Sequence, residues 1–83
     1  MQLNKAGQRT LQENVDLIVN HLRTRALEAN ARAAAATSVA SMRRELGYKR
    51  VCIARLYAIA DAQPDIAQRN RIADLAFTLT QAR

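Results

Sequence analysis

Apolar residues mark out the first element of this chain. Leu11, Val15, Ile18, Val19, Leu22 and Ala26 recur at three- and four-residue steps, the spacing of an amphipathic helix. Thr10, with Glu13 three residues on, supplies a capping-box pattern at its start. Residues 1–8 read as a lead-in, because Gly7 is a poor occupant of a helix interior. The helix continues through RALEANARAAAA, where Ala26, Ala29, Ala33 and Ala36 form a smooth face. Such a face suits close approach by another helix, from the same chain or from a second copy. It equally suits a surface helix filled with good helix formers. Thr37–Ser38 predicts a break, since both side chains compete for backbone hydrogen bonds and cap helices well. The open alternative is one helix from residue 9 to Leu46, which would replace the motif described next with a long hairpin.

The following stretch, SVASMRRELGYKRVCIARLY (residues 38–57), divides into two short amphipathic segments about a glycine. Segments 38–46 and 49–57 predict two helices with Gly47–Tyr48 as their corner. A chain that reverses within two residues needs a left-handed backbone position, which glycine adopts without a Cβ clash. With Gly47 as the ninth position of a DNA-binding helix-turn-helix, the apolar positions fall on Met42, Leu46, Tyr48, Ile53 and Leu56. Those five would form the small core between the helices.

These residues, most clearly ELGYKRVCIARL, resemble the helix-turn-helix of small phage regulators of the Cro and Ner type. The resemblance covers about 20 of the 83 residues. It implies that segment 49–57 is a recognition helix, with Lys49, Arg50, Val51, Ala54 and Arg55 facing outward. One position departs from the pattern: Arg43 stands where these regulators carry a small residue at the helix contact.

Beyond it, Ala62, Gln63 and Pro64 form a short connection, with Pro64 suited to a first helical turn and Asp65 to the positive end of a helix. A final helix is predicted from about Asp65 to Gln81. Ile66, Ala73 and Phe77 lie on one side of it, and Ile72, Leu75, Ala76 and Leu79 widen the stripe. Phe77, the largest hydrophobe in the chain, is expected to anchor the core or a dimer contact. The fold class expected is all-α: one domain, residues 1–83, of four or five helices with a helix-turn-helix at 38–57.

Composition supports that reading, since 17 alanines, two glycines and one proline favour helix throughout. The single Cys52 excludes an internal disulfide and a cysteine zinc site, and beside Ile53 it reads as a small core residue in a reducing cytoplasm. No run approaches the roughly 20 apolar residues of a membrane span, and MQLNKAGQRT lacks the apolar run of a secretory signal. Gly-rich phosphate loops, nucleophile–base sets and paired carboxylates are missing, so no enzyme and no cofactor are expected. His21 reads as a boundary residue and not a metal ligand, because no second ligand shares its face.

The net charge of +6 changes the picture through its location. Residues 1–22 and 56–83 are each neutral, and the excess lies wholly within residues 23–55. There, Arg23, Arg25, Arg32, Arg43, Arg44, Lys49, Arg50 and Arg55 face only Glu28 and Glu45. A charge excess over one segment is an electrostatic footprint for a polyanion. Arginine outnumbers lysine eleven to two, which suits bidentate recognition of phosphate and guanine. The expected function is therefore a sequence-specific DNA-binding regulator of phage or mobile-element type. Arg50 and Arg55 would reach bases, Arg43, Arg44 and Lys49 would reach phosphates, and a homodimer would read a near-palindromic duplex. The alternative is a small helical inhibitor or adaptor that grips an acidic protein partner, a reading favoured by Arg43 and the alanine face.

Overall fold

A computed structural model of the chain describes residues 11–82, and two caps divide them into three helices. These are α1 (Leu11–Ala35), α2 (Val39–Asp61) and α3 (Ile66–Gln81). Ser38 takes an extended backbone and its hydroxyl accepts from the Ser41 amide at 3.1 Å, which starts α2. Asp65 does the same for α3, accepting from the Gln68 amide at 3.2 Å. Each cap satisfies an amide that the first helical turn leaves without a partner. The break expected at Thr37–Ser38 is thus present, and the continuous helix from residue 9 to Leu46 is not. The cap expected at Thr10 and the lead-in at 1–8 lie outside the described residues.

All described elements are helical, but they number three, not four or five. The missing corner accounts for the difference: α2 runs unbroken through Gly47 and Tyr48. The reason lies in the phase of its inward stripe. Glu45, Leu46, Lys49, Cys52, Ile53, Leu56 and Ala60 are buried or half-buried, and they follow one another at three- and four-residue steps straight across residue 47. A corner at Gly47 would throw the two halves of that stripe onto different faces. One glycine weakens a helix interior by only about 1 kcal/mol, far less than the burial the continuous stripe secures. Of the five residues expected to form a local two-helix core, Ile53 and Leu56 are buried, Leu46 and Tyr48 half-buried and Met42 exposed.

Contacts between side chains fix the packing. Arg32 on α1 meets Glu45 on α2 at 2.9 Å, while Leu17 and Ile18 lie opposite Ala58 and Ile59, so α1 and α2 are antiparallel. Arg71 on α3 reaches Asp16 at 3.0 Å, and the Ala82 carbonyl lies across from Asn30, so α3 returns parallel to α1. The shared core takes Val19, Leu22 and Ala26 from α1, Cys52, Ile53, Leu56 and Ala60 from α2, and Ile72, Ala76 and Leu79 from α3. Ala26 and Ala29 are fully buried, so the alanine face of α1 packs within the chain. The body measures 54 × 28 × 14 Å, a shape with much surface for its volume.

Phe77 does not anchor this core. It is 58% exposed, because α3 commits Ile72, Ala76 and Leu79 inward, and Phe77, one residue past Ala76, is turned about 100° away. Its other expected role, a contact with a second copy, is left open by that exposure.

Candidate functional site

The outward face of α2 carries four of the five basic residues expected to contact DNA. With Lys49, Cys52, Ile53, Leu56 and Ala60 pointing inward, helical geometry turns Arg43, Arg44, Arg50 and Arg55 toward solvent. All four are exposed, and none makes a hydrogen bond or ion pair with another described residue. Arg43 and Arg50 flank one edge of the face, Arg44 and Arg55 the other, and Ala40, Gly47 and Ala54 run between them. Across this span the helix rises about 18 Å. Arg32 and Arg71, by contrast, are engaged by Glu45 and Asp16. The small residues between the arginines keep the helix axis free to approach a flat or grooved surface: a Cβ added at Gly47 would meet nothing within 4 Å.

Lys49 is the correction among the sequence-predicted site residues. Only 8% of it is exposed, and its ammonium donates to Asn30 Oδ1 and to the Ala82 carbonyl, each at 2.9 Å. It joins all three helices at one point. It also sits where the carbonyl end of α3 favours a positive charge. A side chain held this way is not available to a phosphate. Next to it in sequence, Arg50 is turned by one helical step into water.

A second feature lies between α1 and α2, and the charge pattern alone did not reveal it. A groove of about 490 Å³ is lined by Leu17, Ile18, His21, Leu22, Arg55, Ala58 and Ile59. It shares His21, Leu22 and Arg55 with a neighbouring cleft of about 310 Å³ that adds Arg25, Tyr48, Val51 and Cys52. The Arg25 guanidinium stands over the Tyr48 ring at 5.5 Å, a cation–π arrangement that fixes its direction. The signal was present in the sequence as Ile18, His21 and Arg25, at three- and four-residue spacing on one edge of α1. It could not be read without knowing which edge α2 leaves open.

None of the described helices is long and apolar enough to cross a membrane. No family model matches the chain, and neither the curated proteins nor the solved structures returned a match.

Proposed function

We propose that this chain is a small DNA-binding regulator that uses the outward face of α2 as a straight, arginine-bearing helix. The observation that carries the reading is the set Arg43, Arg44, Arg50 and Arg55, exposed on one face with no carboxylate partner among the described residues. An α-helix fits the major groove, and arginine can hold two phosphate oxygens or the O6 and N7 of guanine. The reading differs from a helix-turn-helix in that segments 38–46 and 49–57 belong to the one helix α2. Lys49 drops out of the contact set, and the whole of α2 docks as one rod.

The test is duplex affinity against salt. Neutralising phosphates releases counterions, so log affinity should fall against log salt with a slope of about −0.9 for each phosphate contacted. Arg43→Ala and Arg50→Ala should each flatten the slope by about one unit if they touch phosphate. Either should cost about 1–3 kcal/mol on a preferred site if it reads a base. Lys49→Ala should leave the slope unchanged. Duplex binding that ignores these arginines, or none at physiological salt, ends the proposal.

The adaptor reading has its own supporting observation in the apolar groove between α1 and α2, which duplex binding leaves unused.

A further inference from the structure

The groove between α1 and α2 is open on the side away from α3. Among the described residues, its lining comes from α1 and α2 alone. On α1, by contrast, the residues that reach α3 and its carboxyl end are Asp16 and Asn30, on the opposite edge. The last contact is relayed by Lys49, which binds both Asn30 and Ala82. One end of the groove is apolar, formed by Leu17, Ile18, Ala58 and Ile59, and the other is bordered by His21, Arg25 and Arg55. Among the described residues, no carboxylate lines either part. Ile18 and Val51 remain 52% and 49% exposed, so the described residues leave this apolar area uncovered. From Tyr48 to Ile59 the α2 wall rises about 16 Å, about three helical turns. A groove between two antiparallel helices is the place a further helix takes in a bundle.

We propose that this groove receives an amphipathic α-helix from an acidic protein partner. The apolar stripe of that helix packs on Ile18, Leu22 and Ile59, and its carboxylates face Arg25 and Arg55. Charge selects this occupant. A second copy docking groove to groove about a two-fold axis would either set its Arg25 and Arg55 against the same pair or press them on the apolar end formed by Leu17, Ile18, Ala58 and Ile59, and in both cases the guanidinium charges are left uncompensated. A purely apolar ligand would use one end and leave the arginines without a role. An acidic helix satisfies both ends: anchors at three- and four-residue spacing fill the apolar part, and arginine forks bind carboxylates two oxygens at a time. Arg25, already stacked on Tyr48, loses less side-chain freedom on binding than an unrestrained arginine would. This inference develops the adaptor reading and shares Val51 and Arg55 with the duplex face.

The experiment titrates the full chain with two synthetic helical peptides of about 18 residues, followed by NMR amide shifts and fluorescence anisotropy. Both carry the same leucine stripe; the flanking positions are glutamate in one and lysine in the other. The glutamate peptide should move the amides of residues 17–25 and 48–59 and bind at least about tenfold more tightly than the lysine peptide. Ile18→Ser and Arg25→Ala should each weaken it by about tenfold with an unchanged melting curve, since both side chains lie at the surface. Arg43→Ala and Arg50→Ala should leave it untouched. Equal affinity for the two peptides refutes the acidic partner and spares the adaptor reading. Binding of neither at millimolar concentration ends both. Duplex DNA that displaces the peptide and shifts the same amides assigns the groove to nucleic acid and overturns the proposal. So does self-association in sedimentation that Ile18→Ser and Phe77→Ser both abolish, which would place α3 of a second copy in the groove.

Discussion

Lys49 and Arg50 are adjacent cations on one helix, and they do opposite things. Lys49 points inward, where Asn30 and the Ala82 carbonyl hold its ammonium and join three helices. Arg50 points outward with no partner among the described residues. The same contrast runs the length of α2, whose inner face carries Cys52, Ile53, Leu56 and Ala60 and whose outer face carries Arg43, Gly47, Ala54 and Arg55. Charge alone therefore does not identify a binding residue in a protein this thin. The phase of the helix does, because one step of about 100° decides whether a cation is structural or available.

The sharpest way to break the comparison is to attack each face at its most typical residue. Leu56 is fully buried, and Leu56→Ala should destabilise the chain by about 2–5 kcal/mol. That is a large share of the stability of a small domain. Phe77→Ser, on the outward face of α3, should change stability by less than about 0.5 kcal/mol despite removing the larger side chain. Urea unfolding of the two variants checks both values, and equal losses would show that the inward and outward faces have been confused.

Lys49→Ala comes next in size. It leaves the Asn30 side chain and the Ala82 carbonyl without their donor, an effect of about 1–3 kcal/mol. Lys49→Met keeps the aliphatic stem packed and should recover part of that loss. Melting curves read the effect; a Lys49→Ala variant with wild-type stability would mean that the ammonium is not holding the three helices together.

Much of this architecture is legible in the sequence. The three- and four-residue periodicity of α1, the cap at Ser38 and the Asp65 signal before α3 are local features, and local features specify helices and their ends. Gly47 is different. A glycine after an amphipathic segment looks the same whether it ends a helix or sits on the exposed side of one, and only continuity of the buried stripe through Lys49 and Cys52 distinguishes the two. Lys49 itself could not be assigned from its neighbours, because Asn30 and Ala82 lie 19 and 33 residues away. The groove was hidden for the same reason: Ile18 belongs to the apolar stripe of α1, but α3 covers the other edge.

The smallest effect is the most direct test of α2 as one helix. At a helix-turn-helix corner Gly47 would need a left-handed backbone, and Gly47→Ala would strain it and destabilise the chain. In the structure Gly47 is helical, and an added Cβ meets no atom within 4 Å. Alanine there removes backbone freedom from the unfolded chain without a clash, so Gly47→Ala should stabilise the protein by about 0.5–1 kcal/mol. The sign of the change separates the two geometries, and a careful denaturant midpoint resolves it. Paired with duplex titration, the same variant sharpens the functional comparison. A more stable chain whose DNA affinity falls would show that the missing side chain serves the docking of α2 and not its folding. A more stable chain with unchanged affinity would confine the contact to the arginines on either edge.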